Sequence, residues 1–554
     1  MKNMTLERIT EVCGGVYYGS EADKKKEIAG AVIDSRQVES GYLFIAVKGE
    51  KVDGHQFIPQ VFEKGALAVL SEQELSDPAG PYIKVESTLG AMKKLAAYYR
   101  RSLDIKVVGI TGSVGKTSTK EMIASVLSQK YNVLKTEGNF NNEIGLPLTI
   151  FKIREQHEVA VLEMGISEFG EMHRLAEMAY PDICVITNIG LCHLENLLTR
   201  DGILKAKTES FEHLTPEGTA VLNGDDDKLC EKKMVNGKPV VFYGIGKEAK
   251  LAKTEQGEKY LAEKEVYATD VEPVGLDGTK AVIHIGAESF AVTIPIAGEH
   301  NVYNALAAVC VAGKLGLSVD EMKRGIESVK TIGGRSNLIH KGGMTIIDDC
   351  YNANPVSMKA SIDVLAAAPG RKIAVLGDMG ELGENEQELH AMVGEHFEGK
   401  GIDALFAAGA LSENLAQAVG KCSKETEVHY FKTKDELMEE FGSICREVLL
   451  WPEGVPSSNG LSGAEQTLGP GLIGNVSVPV LYVYPASQPC GQAVILCPGG
   501  GFRGVAVEHE GRAFASWFNE RGITLAVLKY RLPNGRREIP GEDIRRAVRL
   551  LEER

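Results

Sequence analysis

One turn constrains this chain more than any other feature. Thr111-Gly-Ser-Val-Gly-Lys-Thr117 follows the apolar run Lys106-Val-Val-Gly-Ile110 and leads directly into Lys120 to Lys130, where Ile123, Val126 and Leu127 share a helical face. Strand, glycine turn and helix in that order let backbone N–H groups close on phosphates at a helix N-terminus. Lys116 is then the side chain that reaches the terminal phosphates, and Thr117 the hydroxyl for a Mg²⁺ ion. Gly112, Ser113, Val114, Gly115 and Ser118 complete the expected ATP cradle. The pattern departs from G-x-x-x-x-G-K-[ST], because Ile110 holds the place of the first glycine and the glycines stand at 109, 112 and 115.

Such a loop needs a parallel sheet around it, and the flanking sequence supplies one. Val159-Ala-Val-Leu162, Ile183-Cys-Val-Ile186 and Ala220-Val-Leu222 are short apolar runs suited to strands buried on both faces. At 554 residues the chain exceeds a single core. Residues 1–98 read as a small α/β domain with strands at Tyr42 to Val47 and Ala66 to Leu70, and 99–330 as the doubly wound central domain. The rhythm restarts over 331–447, with runs at Met344 to Ile347, Lys372 to Leu376, Ala404 to Ala407 and Val428 to Phe431. Residues 448–475 are rich in Gly, Ser and Pro and read as a linker, after which 476–554 open another α/β unit.

Composition excludes several function classes. Hydrophobic residues at 44% and charged residues at 25% are ordinary globular values. Ten cysteines without a C-x-x-C pair argue against a disulfide scaffold or a structural zinc site, and fit a reducing cytoplasm. A net charge of -15 disfavours nucleic acid as the main partner. No apolar window of membrane-spanning length occurs, so stable membrane insertion is not expected.

Metal ligands for phosphoryl transfer belong at the ends of neighbouring strands. Glu163 ends the run 159–162, and His193 follows the run 183–186 within Thr187-Asn-Ile-Gly-Leu-Cys-His-Leu-Glu195. Taken singly, Glu163 reads equally as a solvated strand end and His193 as a loop histidine. Leu204-Lys-Ala-Lys-Thr-Glu209 reads on its own as a solvated helical face.

The run Thr111 to Met122, Gly138-Asn-Phe-Asn-Asn-Glu-Ile-Gly-Leu-Pro-Leu148, Glu163-Met-Gly165, Ala206-Lys207, Gly298-Glu-His-Asn-Val-Tyr-Asn-Ala-Leu-Ala-Ala308 and Gly334-Arg335 together resemble the Mur ligase family over residues 1 to about 445. Asp348-Asp-Cys-Tyr-Asn-Ala-Asn-Pro355 with Leu376-Gly-Asp-Met-Gly-Glu-Leu-Gly383 resembles those members that use D-alanyl-D-alanine. The resemblance implies a three-domain α/β ligase: a UDP-sugar-binding domain, a central ATP-binding parallel sheet and a Rossmann-like third domain. It implies ATP and Mg²⁺ as cofactors and UDP-N-acetylmuramoyl-tripeptide and D-alanyl-D-alanine as substrates, joined through an acyl phosphate. Carried onto this sequence, it implies that Ser35 and Arg36 face the UDP-sugar, and Asn139 and Asn142 the muramoyl peptide and γ-phosphate. Asn301 and Asn304 would face adenine, Arg335 the nucleotide, and Asp349, Asn352 and Asn354 the dipeptide. Lys116, His193 and Lys207 are the implied catalytic residues. Thr117, Glu163, His193 and a carbamylated Lys207 are the implied metal set. A cytoplasmic monomer is expected.

Two departures from the family are expected. The end of the third domain runs from Leu437 to Leu450 into the linker without the usual closing strand and loop. Gln492-Ala-Val-Ile-Leu-Cys-Pro-Gly-Gly-Gly-Phe502 and Leu525 to Pro533 resemble the first third of an acetyl-esterase-type α/β-hydrolase. No G-x-S-x-G elbow occurs, so hydrolase activity is not expected from it. Two other readings remain at this point: a nucleotide-binding fusion that has lost turnover, and a related ligase of the folylpolyglutamate type with another amine substrate.

Overall fold

The computed structural model describes residues 1–254, 257–341, 344–438, 447–469, 471–486 and 489–552. The chain divides into two compact units, Met1–Phe406 with Leu411–His429, and Ala407–Ala410 with Tyr430–Arg554.

The first unit opens with a five-stranded sheet in the order β1-β5-β4-β3-β2. These strands are β1 (Val16–Tyr18), β2 (Ala31–Val32), β3 (Leu43–Ile45), β4 (Ala68–Ser71) and β5 (Tyr82–Lys84). All its pairings are parallel except β1 with β5. Helix α1 (Thr88–Arg101) follows, started by Ser87, whose hydroxyl accepts from the Gly90 N–H. Its buried Arg100 donates to Ala179 O at 3.1 Å and Asp182 Oδ2 at 3.2 Å, fastening the helix to the central domain.

The central sheet has nine strands in the order β14-β13-β12-β11-β10-β9-β6-β8-β7. They are β6 (Lys106–Thr111), β7 (Val133–Lys135), β8 (Val159–Glu163), β9 (Ile183–Ile186), β10 (Thr219–Asn223), β11 (Val241–Ile245), β12 (Val266–Pro273), β13 (Thr279–Ile285) and β14 (Glu288–Ile294). From β7 to β12 the pairing is parallel. The chain leaves β6 towards β8 on one side and returns to β9 on the other, so the end of β6 is a topological switch point, where such sheets open a ligand crevice. Val107, Val108 and Ile110 of β6 and Val159 to Leu162 of β8 are fully buried, as strands covered on both faces must be. The helices around them are α2 (Lys116–Leu127), α3 (Glu171–Ala179), α4 (Arg200–Thr208), α5 (His300–Lys314) and α6 (Val319–Glu327).

The expected all-parallel sheet acquires an antiparallel edge. Strands β12, β13 and β14 pair antiparallel in succession. The connection between β12 and β13 is a short turn through Gly275 and Gly278, too short for the helical crossover that a parallel neighbour requires. In the third domain Met344–Asp348 is a strand as expected, but it closes an antiparallel hairpin with Asn337–Lys341 and stays out of the main sheet. That sheet has three strands in the order Ile373–Gly377, Ala404–Ala408, Glu427–Phe431.

The second unit carries a four-stranded sheet in the order Glu447–Leu449, Val480–Tyr484, Ile523–Lys529, Gln492–Leu496. The last pair is parallel and the other two are antiparallel. Residues 448–475 are therefore not a linker. Glu447–Leu449 is an edge strand, Gln466–Gly469 and Leu472–Gly474 form a hairpin, and Leu450 is fully buried. The Asn459 amide donates to the carbonyls of Val476 and Leu532, both at 2.9 Å. Gly, Ser and Pro here mark turns between short strands, which composition does not distinguish from a flexible chain. Buried Arg531 donates to Asp543 at 2.7 Å, and Trp451 Nε1 donates to the same carboxylate at 2.9 Å. Charges taken out of water need such pairing. Between Gln492–Leu496 and Ile523–Lys529, Arg512–Phe514 forms a 3-10 turn and Ala515–Asn519 a short helix. The expected shortened end of the third domain falls partly on residues 439–446, which lie outside the described residues.

Candidate active site

The turn at the end of β6 is held by side chains from the end of β9. The Val114 N–H donates to Asn188 Oδ1 at 2.9 Å, and Asn188 Nδ2 donates back to Val114 O at 3.1 Å. Thr187 Oγ1 donates to the same carbonyl at 2.6 Å, and the Gly190 N–H donates to Ser113 Oγ at 2.8 Å. Gly112 and Gly115 lie at φ of 147° and 82°, in the region that favours glycine. A Cβ on Gly112 would stand 1.9 Å from Thr187 Oγ1, a hydroxyl that the turn itself uses. Gly112→Ala is therefore expected to strain the loop by about 1–3 kcal/mol. A lowered Tm and weaker ADP binding by titration would show it; wild-type values would refute the cradle described here.

Lys116 opens α2 and its ammonium donates to Gly112 O at 2.9 Å, bending over its own turn. One residue on, Thr117 Oγ1 donates to Glu163 Oε1 at 3.0 Å across the crevice. Glu163 is the last residue of β8, and Asn141 Nδ2 donates to the same oxygen at 2.8 Å. Its other oxygen is buried, has no hydrogen bond among the described residues, and has Lys120 Nζ 3.8 Å away. Lys120 spends its own donors on Thr136 O at 2.7 Å and on Glu121 at 3.2 Å. A carboxylate oxygen left without a donor in the interior is costly.

His193 sits in a left-handed backbone conformation at φ 52°. Its Nδ1 lies 2.5 Å from Glu381 Oε2 of the third domain. Burial lowers its pKa, the Glu381 carboxylate opposes this, and the charges of Lys207 and Lys116 lower it further. Lys207, on α4, is wholly buried and its ammonium has no hydrogen-bond partner among the described residues. Burial pulls its pKa down to about 8, with Cys192 opposing and Lys116 adding to the fall. Lys116, His193 and Lys207 thus share one electrostatic neighbourhood beside the Thr117–Glu163 pair. These five sequence-predicted residues form one group around the end of β6.

The remaining expected residues fall into three places. Asn301 and Asn304 open α5: Asn304 Nδ2 donates to Asn301 Oδ1 at 2.9 Å, and Thr119 Oγ1 donates to Asn304 Oδ1 at 2.8 Å. Asn301, Ser118, Glu121 and Arg335 line a shared pocket, and the Arg335 guanidinium stands 4.1 Å above the Tyr351 ring. Asp349 accepts from the Ser336 N–H at 3.1 Å and from the Ser361 hydroxyl. Asn352 is exposed. Asn354 caps the helix Pro355–Ala366, its oxygen accepting from the N–H groups of Val356 and Ser357, so only its NH₂ is left for a ligand. Asn139 is exposed, and Asn142 Oδ1 accepts from the Gly145 N–H at 2.8 Å. Arg36 is exposed and bonds Asp34 at 2.8 Å, whereas Ser35 is buried.

Sequence reasoning missed Asn141, Asn188 and Glu381. All three lay inside runs already singled out, but which asparagine of Asn139-Phe-Asn-Asn142 turns inward depends on the loop's path.

Three family models match: "Mur ligase family, catalytic domain" over residues 27–100, "Mur ligase middle domain" over 110–312, and "Mur ligase, glutamate ligase domain" over 334–448. The chain is 37% identical over 446 residues to UDP-N-acetylmuramoyl-tripeptide--D-alanyl-D-alanine ligase of Bacillus subtilis, covering 79% of this chain and 92% of that protein. It is 34% identical over 421 residues to the Escherichia coli protein of the same name, covering 76% and 89%. Among solved structures, MurF from Acinetobacter baumannii matches with a TM-score of 0.68 at 31% identity, over 79% of this chain and 98% of that one. The MurF ligase of Thermotoga maritima in complex with ADP matches with a TM-score of 0.61 at 32% identity, over 74% and 95%.

Proposed function

We propose, on the premise that this chain belongs to the Mur ligase family, that it joins D-alanyl-D-alanine to UDP-N-acetylmuramoyl-tripeptide at the expense of ATP in peptidoglycan precursor synthesis. The observation that carries this is the likeness over 446 residues to a ligase of that name, centred on the crevice at the end of β6.

In this reading the tripeptide carboxylate attacks the γ-phosphorus of ATP, the bond to the bridging oxygen breaks, and an acyl phosphate and ADP result. The amine of the dipeptide then attacks the acyl carbon, and phosphate leaves as the amide forms. Lys116 turns from its loop carbonyls onto the terminal phosphates and offsets the charge gathering there. The N–H groups of the loop and the N-terminus of α2 hold the β-phosphate side. The pocket of Asn301 and Arg335 takes the adenosine end.

The orphaned Glu163 oxygen fits a divalent cation, and the buried Lys207, without a hydrogen-bond partner among the described residues as an ammonium, fits one once its amine is carbamylated. Thr117, Glu163, His193 and Lys207 carrying a carbamate would hold Mg²⁺, which would supply charge neutralisation to the transferring phosphoryl group. Carbamylation turns a cation that gains nothing from its surroundings into a carboxylate, and a fall in pKa to about 8 leaves some free amine to react with CO₂. Ser35 and Arg36 are assigned to the UDP-sugar, Asn139 and Asn142 to the muramoyl peptide, and Asp349, Asn352 and the Asn354 NH₂ to the dipeptide. Among the described residues no helix is long and apolar enough to cross a membrane. We place the protein in the cytoplasm as a monomer, where its substrates are made.

The parallel pairing of Gln492–Leu496 with Ile523–Lys529 and the glycines at 499–501 support reading residues 476–552 as a partial α/β-hydrolase-like unit. We assign it no hydrolysis, since a serine nucleophile elbow is missing from the sequence.

Phosphate release should require UDP-N-acetylmuramoyl-tripeptide and rise sharply on adding D-alanyl-D-alanine. A rise with glutamate in its place would favour a folylpolyglutamate-type ligase. ADP binding without any release would favour a nucleotide-binding fusion.

A further inference from the structure

Away from the crevice, on the outer surface of the central domain, two histidine rings and a glutamate meet. His173 stands on α3 between the buried Met172 and Leu175. His213 follows the 3-10 turn Glu209–Phe211 and is anchored by the buried Phe211 and Leu214 on either side. The two Nε2 atoms are 3.5 Å apart, with ring centroids 4.6 Å apart and ring planes inclined at 66°. Glu212 Oε2 lies 2.6 Å from the other nitrogen of His173, Nδ1. One ligand atom from each of the three residues falls within a span of 4.8 Å.

We propose that His173 and His213 bind a divalent transition-metal ion of the zinc class through their Nε2 atoms, with Glu212 as the carboxylate that orients His173. Zinc–imidazole bonds of about 2.0–2.1 Å at a tetrahedral angle put two nitrogens about 3.4 Å apart, close to the spacing found. A carboxylate on Nδ1 holds that nitrogen as the N–H donor, so the Nε2 lone pair faces His213. This is the arrangement that metal-bound histidines usually have. Local charge is favourable as well. Glu177 and Glu212 both act on His213, with His173 and Arg101 opposing them. Glu177 lies one helical turn beyond His173, on the same face of α3. Imidazole donors select zinc, copper and nickel over Mg²⁺, so this site and the nucleotide crevice take different ions.

The site also has a mechanical meaning. Glu209 accepts from the N–H groups of Gly170 and His173, tying the start of α3 to the turn that follows α4. A metal between His173 and His213 closes a second tie between these elements, and α4 is the helix that carries Lys207.

The test is equilibrium dialysis of the full chain against Zn²⁺, with ADP and excess Mg²⁺ present so that the crevice is already occupied. One Zn²⁺ per chain is expected, lost in His173→Ala and in His213→Ala, with affinity lowered about 10–100-fold in Glu212→Gln. Zn²⁺ should raise the Tm of the wild type and leave that of both histidine variants unchanged, while phosphate release with Mg²⁺ stays at wild-type level in all of them. Zinc binding that survives either histidine substitution, or no zinc retained by the wild type, would overturn the proposal.

Discussion

Lys116→Ala is expected to cut phosphate release by about 10²–10³-fold or more while leaving the Tm close to that of the wild type. The scale is that of removing one preorganised charge donor from a transition state that consists almost entirely of charge redistribution. The stability half follows from geometry. Among the described residues the Lys116 ammonium bonds only carbonyls of its own turn, at 2.9 Å and 3.4 Å, and its side chain is part-buried, so the fold loses little with it. Measuring release at saturating ATP, tripeptide and dipeptide, alongside thermal melting, separates the two effects. Turnover that survives would remove the assignment of this loop to phosphoryl transfer.

Lys207→Met should likewise cut activity while holding or raising stability. In the wild type the buried ammonium has no hydrogen-bond partner among the described residues, and its pKa falls from 10.5 to about 8 because burial disfavours charge. A base whose folded pKa is depressed carries a penalty that is full below the folded value and fades as pH rises towards the unfolded one. At neutral pH the unmodified lysine therefore costs the fold on the order of a few kcal/mol, by the conversion of about 1.4 kcal/mol per pKa unit. Methionine keeps most of the volume and removes the charge. Its Tm in bicarbonate-free buffer at pH 7 should be at or above that of the wild type, whereas phosphate release should fall at least about 10²-fold. Bicarbonate should raise wild-type activity and do nothing for the variant. A methionine variant that turns over normally would rule out the carbamate as a metal ligand.

The crevice was legible in the sequence because its parts are local. Strand, turn and helix occupy consecutive residues, and Glu163 and the Thr187 to His193 segment announce themselves at strand ends. What stayed hidden depends on distance along the chain. Glu381 reaches His193 from the third domain, and Thr119 reaches Asn304 over a separation of 185 residues. No periodicity encodes such pairs. Lys207 read by pattern as a solvated face because its neighbours Lys205 and Glu209 are polar; only the resemblance pointed inward, and the fold does bury it. The antiparallel edge of the central sheet was missed for another reason. Alternating strands such as Thr279–Ile285 carry no mark of direction, and the turn before them decides it. Residues 448–475 show the reverse error, where turn-forming composition masked real strands.

The way the second unit is sewn together also sets an order of events during synthesis. The nine strands around the nucleotide loop are all complete by Ile294, so the ribosome releases that sheet as a finished set long before the chain is done. The later unit has no such freedom. Its first strand, Glu447–Leu449, pairs with Val480–Tyr484, Trp451 bonds Asp543 92 residues downstream, and Arg546 holds the carbonyl of Leu450 from 96 residues away. Contacts this remote form only after the loop between them has emerged. The opening strand of that unit can therefore pair with Val480–Tyr484 once that segment has emerged, but its ties to Glu538–Glu552 close last.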